Sequence, residues 1–159
     1  MANVYIGIGS NLGDREGNIE KALTLLKEHK DIQVLAVSAF IETDPEGGSP
    51  QGKFLNGAVQ LDTDLMPLDL LSQLKIIERR LGRGKSEPNS PRPMDLDILF
   101  YDDVVIVEGK NLTIPHPRLT ERMFVLQPLL EIAPDLVHPR LNQSIKELVN
   151  VLLINESRS

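Results

Sequence analysis

Along the first hundred residues the hydrophobic pattern switches repeatedly between a period of two and a period near 3.6, and the order of those switches restricts the fold more than any single motif. Asn3 to Gly9 alternates, with Val4, Ile6 and Ile8 on one face, which predicts a strand ending in a turn, Gly9-Ser10-Asn11-Leu12-Gly13. Asp14 is placed to cap a helix whose stripe is Ile19, Ala22, Leu23 and Leu26, breaking near Lys30-Asp31. Ile32 to Ile41 carries Ile, Val and Ala on both faces, the pattern of a central strand. Asp44 to Lys53 is too rich in Gly and Pro for a regular element, and Leu55 to Asp62 reads as the next strand. Pro67 opens a second helix, with Leu70, Leu74, Ile77 and Leu81 on one stripe and Gly82 as its stop. A loop from Arg83 to Pro93 then leads into a strand at Asp95 to Tyr101. A short extended piece at Val104 to Val107, a Pro-rich turn at Ile114 to Pro117 and two shorter helices follow.

The order β-α-β-β-α-β predicts an α+β fold on the split βαβ, ferredoxin-like plan: an antiparallel sheet with both helices on one face, plus a C-terminal helical extension. A chain of 159 residues suits one domain, 1–159, burying about two-thirds of the surface that its unfolded form exposes. There is no cysteine, which excludes disulfides, zinc-thiolate sites and thiol nucleophiles. No stretch approaches the roughly 18 consecutive apolar residues of a membrane span. The expectation is a cytoplasmic protein with no membrane association and no evident obligate protein partner.

The net charge of −6 argues against nucleic acid as a partner, because nonspecific affinity for it comes from neutralising phosphates. The charge is uneven. Lys75, Arg79, Arg80, Arg83, Lys85 and Arg92 crowd one stretch with only Glu78 and Glu87 against them, so an acidic chain carries a local basic block. A solvated helix end explains such a block as readily as a small polyanionic ligand does.

Just beyond it, alternation in Asp95-Leu96-Asp97-Ile98-Leu99-Phe100 puts the two aspartates on one face about 7 Å apart, with Leu96, Ile98 and Phe100 toward the core. Neighbouring carboxylates repel, and a hard divalent cation such as magnesium relieves the repulsion while leaving positions open for phosphate oxygens. With Arg83, Lys85 and Arg92 nearby in sequence, the set suits phosphoryl-type transfer, where positioning and charge neutralisation do most of the work. His116, between Pro115 and Pro117, and then Arg118 and Arg122 add donors. Gly7-Ile8-Gly9-Ser10-Asn11-Leu12-Gly13 has one residue too many for a dinucleotide fingerprint, and no Gly-Lys-Ser/Thr marks a P-loop. Phe54 and Phe124 stand outside the helical and strand stripes and are as readily core residues as a sandwich for a flat heterocycle.

Taken together, Gly9-Ser10-Asn11-Leu12-Gly13, Phe54-Leu55-Asn56, Pro91-Arg92 with Asp95-Leu96-Asp97-Ile98-Leu99, and Pro115-His116-Pro117-Arg118 resemble the 6-hydroxymethyl-7,8-dihydropterin pyrophosphokinases of folate biosynthesis, nearly end to end. The resemblance implies transfer of the β,γ-pyrophosphoryl group of ATP to the hydroxymethyl oxygen of the pterin, releasing AMP by direct in-line displacement. It implies two Mg2+ ions held by Asp95 and Asp97, and ATP as co-substrate. Arg83, Arg92, His116 and Arg122 would hold phosphate oxygens, with Arg83, Arg92, Asp95 and Asp97 as the catalytic set. Glu78, Thr113 and the backbone of Ile98 would meet ATP, while Phe54 and Phe124 stack the pterin and Asn56 and Thr43 read its edge. Lys85 stands where many members carry arginine, so a forked contact there becomes a point charge. The main rival is a nonenzymatic ferredoxin-like module. RNA binding by such a module is disfavoured by the acidic charge and the lack of a surface set of aromatics, whereas a regulatory nucleotide binder would use the same arginines and metal and is separated from an enzyme only by turnover.

Overall fold

The computed structural model describes residues 1–44, 52–82, 94–109 and 111–158. Its main sheet is built from β1 (Ala2–Ser10), β2 (Ile32–Val37), β3 (Ile41–Thr43), β4 (Phe54–Thr63) and β5 (Asp95–Tyr101). The strand order is β2-β4-β1-β5, every neighbouring pair antiparallel, and β3 also pairs with β4. α1 (Arg15–Glu28) and α2 (Pro67–Arg80) connect strands that are not neighbours in the sheet. The short strands β6 (Ile106–Glu108) and β7 (Leu112–Ile114) form a separate ribbon, followed by a 3-10 turn at Leu119–Glu121, α3 (Met123–Ile132) and α4 (Ile145–Ser157).

Both faces of the sheet are covered. Val4, Ile6 and Ile8 of β1 pack with Ile19, Ala22 and Leu26 of α1 and Leu70, Leu74 and Ile77 of α2, so both connecting helices share one face. On the opposite face Tyr5, Ala58 and Phe100 pack with Leu126 and Leu129 of α3 and Ile145, Leu148 and Val149 of α4. The helices begin where local chemistry directs. The Asp14 carboxylate accepts the Gly17 N–H at 3.1 Å, Pro67 occupies the first turn of α2, and Ser144 and Glu147 form a reciprocal capping box.

Three expectations change. Gly9 and Ser10 belong to β1 and pair with Asn56 and Leu55 of β4, so the turn begins only at Asn11. Ile32 to Ile41 is neither one strand nor central, because β2 is at the sheet edge and stops at Val37. Its continuous apolar run comes from a bulge: the register shifts between Val34 and Ala36, leaving Leu35 as the extra, 45% exposed residue. At the break after it, the Ser38 hydroxyl accepts the Ala58 N–H and Glu131 of α3 accepts the Ala39 N–H. A second bulge lies in β5, where Ile6 pairs with Ile98 but Tyr5 pairs with Phe100. Leu96 and Ile98 therefore face the α1/α2 core as expected, whereas Phe100 turns into the α3/α4 core together with the inserted Leu99.

Candidate active site

β5 presents Asp95 and Asp97 upstream of its bulge, where alternation still holds. Asp95 pairs with Gly9 and Asp97 with Gly7, so both aspartates share a sheet face with two residues that have no side chain. Gly9 pairs on its other side with Asn56, which makes Asn56, Gly9 and Asp95 one row across β4, β1 and β5. From Asn56 the Nδ2 donates to the Thr43 hydroxyl at 2.7 Å, tying the end of β3 to this row. Phe54, partly buried, pairs with Thr43 one step along.

At the outer edge of β5 lies a cleft of about 180 Å³, lined by Leu71 and Lys75 of α2, Asp97 and Ile98 of β5, and Asn111, Leu112, Thr113, His116 and Pro117. The segment after β7 is fastened to this edge by the His116 N–H, which donates to the Leu99 carbonyl at 3.0 Å, and the His116 Nδ1 accepts the Arg118 N–H at 3.3 Å. Asp97, Ile98, Thr113 and His116, distant in sequence, thus meet around one cavity.

The electrostatics are set by crowded carboxylates. Burial first, then the charges of Asp95 and Glu78, push the Asp97 carboxyl up to about 7, against the opposing pull of Lys75 and Arg122. A cation bound beside Asp95 and Asp97 would reverse this, which is the behaviour expected of oxygen ligands awaiting a hard metal. Among the described residues no group of three or more His, Cys, Asp or Glu side chains is arranged to hold a metal ion. Glu78, 2% exposed, is occupied within the protein: its Oε2 accepts the Leu96 N–H at 2.7 Å and its Oε1 lies 3.5 Å from Lys75 Nζ. It acts as a brace between α2 and the residue separating the two aspartates.

At the start of α3 the Arg122 guanidinium carbon lies 5.5 Å from the centroid of the Phe124 ring, a cation–π contact that covers one ring face. Arg83, Lys85 and Arg92 fall outside the described residues, as does most of the loop between Asp44 and Lys53. Lys75 belongs to the basic block that the sequence shows, whereas Leu71 and Asn111 are marked by nothing in it as part of a site. Lys75 lies i, i+3 from Glu78 on α2, a spacing at which side chains on one helix meet.

Residues 5–134 match the sequence model of the family described as 7,8-dihydro-6-hydroxymethylpterin-pyrophosphokinase (HPPK). Among curated relatives, the 2-amino-4-hydroxy-6-hydroxymethyldihydropteridine pyrophosphokinase of Bacillus subtilis is 47% identical over 83% of this chain and 79% of its own length. The enzyme of the same name from Aquifex aeolicus is 42% identical over 92% of this chain and 90% of its own. The folic acid synthesis protein fol1 of Schizosaccharomyces pombe is 44% identical over 93% of this chain, which spans only 20% of that longer protein. In solved structures, a Plasmodium falciparum HPPK-DHPS chain matches 99% of this chain with 44% of its own length, at a TM-score of 0.77 and 19% identity, a likeness of fold.

Proposed function

The chain belongs to the 7,8-dihydro-6-hydroxymethylpterin-pyrophosphokinase family, and from that premise we propose that it transfers the β,γ-pyrophosphoryl group of ATP to the hydroxymethyl oxygen of 6-hydroxymethyl-7,8-dihydropterin in folate synthesis, releasing AMP. The observation that carries the reading is the convergence of Asp97, Ile98, Thr113 and His116 on one cleft, with Asp95 one alternation away on the same sheet face as Asn56.

In this reading ATP lies along the outer edge of β5, its nucleoside against the Ile98 backbone and Thr113 and its phosphates toward His116 and Arg122. Asp95 and Asp97 would hold two Mg2+ ions, which supply charge neutralisation on the triphosphate. Arg83, Lys85 and Arg92 carry the further positive charge that phosphate needs. Glu78 serves ATP by fixing the strand between the aspartates, through its bond to the Leu96 N–H. The pterin stacks between Phe54 and the face of Phe124 that Arg122 leaves open, while Asn56, oriented by Thr43, offers a donor and an acceptor to the ring edge. No protein nucleophile is needed: the substrate alcohol attacks the β-phosphorus, AMP leaves, and the residues position and neutralise. The sheet order fits the ferredoxin-like plan, and a cytoplasmic enzyme acting on small molecules, without nucleic acid or an obligate protein partner, remains part of the proposal.

ATP labelled in the β-phosphate tests the group transferred. Label found on the pterin, with unlabelled AMP, supports pyrophosphoryl transfer. Label retained in ADP would mean that a single phosphoryl group moves and would overturn the reading.

A further inference from the structure

We propose that Gly9 is a positioning residue for substrate recognition: having no side chain, it leaves the space in which the Asn56 carboxamide lies over β1. The inference rests on the pterin reading above and adds a residue to it. A Cβ built on Gly9 would stand 2.5 Å from the Asn56 Oδ1, well inside the roughly 3.3 Å at which carbon and oxygen touch. Its next neighbours are the Asn56 Cγ at 3.5 Å and the Leu55 carbonyl oxygen at 3.6 Å, both ordinary contacts. Among the described residues the obstacle to a methyl group at position 9 is therefore the tip of one side chain. Backbone conformation gives no reason for glycine here, since Gly9 lies inside β1 and is absent from the residues with positive φ. Gly7, two residues earlier on the same face, meets nothing closer than the Leu99 side chain at 3.6 Å.

The Asn56 carboxamide is thus held from two sides. Thr43 accepts its Nδ2 hydrogen at 2.7 Å, and its Oδ1 occupies the space that a side chain at position 9 would take. Alanine at position 9 forces the amide to rotate, which breaks the bond to Thr43 and swings the acceptor away from the row that ends at Asp95. A flat heterocycle read at its edge by Asn56 loses matched donor and acceptor together, while ATP at the far side of β5 is untouched.

The test is a double-mutant cycle of Gly9→Ala and Asn56→Ala, with binding of 6-hydroxymethyl-7,8-dihydropterin and of a nonhydrolysable ATP analogue measured by calorimetry. Gly9→Ala alone should weaken pterin binding about tenfold, the worth of one or two hydrogen bonds, and in the Asn56→Ala background it should cost less than about twofold more. Affinity for the ATP analogue should stay within about twofold in all variants. Losses that multiply across the cycle, or an undiminished Gly9→Ala, overturn the proposal. In ligand-free protein the Asn56 side-chain amide resonances should move on Gly9→Ala and on Thr43→Val. If they stay in place on Gly9→Ala the proposal fails, whatever the substrate proves to be, whereas the expected shift together with wild-type protein that binds no pterin fails the substrate reading instead. If Gly9→Ala does not fold, the double variant should fold, because the clash is gone; a double variant that also fails to fold contradicts the proposal.

Discussion

At the scale of single residues, Asp97 is the side chain on which most depends. Its carboxyl is pushed up by burial and by Asp95 and Glu78, so its charge works against the fold unless a cation is present. Asp97→Asn should lower turnover by about a hundredfold or more while the melting temperature holds or rises. A variant that unfolds, or that keeps full activity, would contradict the assignment. Phe124→Ala should weaken pterin binding roughly tenfold and ATP binding less, since stacking is lost while Arg122 loses only its cation–π contact. Equal losses measured for both ligands would remove the stacking role. Glu78 makes a third case. Glu78→Ala leaves the buried Leu96 N–H without its acceptor and should cost about 1–3 kcal/mol in chemical denaturation, whereas Glu78→Gln, which keeps an acceptor oxygen, should cost less. Identical destabilisation by the two variants would show that the hydrogen bond is not what Glu78 contributes.

At the scale of elements, what could be read from the sequence followed from which signals are local. The alternation around Asp95 and Asp97, the stripe of α2 and the cap at Asp14 are decided within a few residues, and each appears as expected. The bulges were not legible. Leu35 and Leu99 are apolar like their neighbours, so nothing marks one as exposed on an edge and the other as turned with Phe100 toward α3 and α4. Alternation carries the strand to Gly9, where the Gly-Ser-Asn-Leu-Gly run looks like a turn, and only pairing with Asn56 and Leu55 shows that β1 continues through Ser10. The Glu78 carboxylate meets the Leu96 N–H, a bond across 18 residues that no spacing rule announces. The connection from α3 to α4 was equally silent. There the His138 Nδ1 accepts the Arg140 and Leu141 N–H groups, and the ring meets Phe100 edge-on at 5.8 Å. Burial, then the Arg140 charge, lowers the pKa of His138 below its ordinary 6.5, so the unfolded chain takes up the proton first as pH falls. This residue's contribution to stability is complete above about pH 6.5 and declines below it. His138→Asn, which keeps an acceptor for the turn without titrating, should flatten the fall in melting temperature below about pH 6.5. An unchanged slope would show that the acid sensitivity lies elsewhere.

At the scale of the whole molecule, a sheet with helical cores on both faces fixes the relation between two halves of one site. The row of Asn56, Gly9 and Asp95 crosses three strands in rigid register, while the cleft holding Asp97, Ile98, Thr113 and His116 runs along the free edge of the last of them. In the proposed reading, two substrates bound in these places would meet at the aspartates without either having to enter a core. The same sheet-and-helix body recurs within longer chains, as in the Plasmodium falciparum HPPK-DHPS structure, of which it matches under half. The central claim is that the two places work as one site, and AMP formation by the purified protein from ATP and magnesium, with and without 6-hydroxymethyl-7,8-dihydropterin, tests it most directly. AMP formed only when the pterin is present is the predicted result. AMP released equally without it, or no AMP although both ligands bind, would contradict transfer between the two.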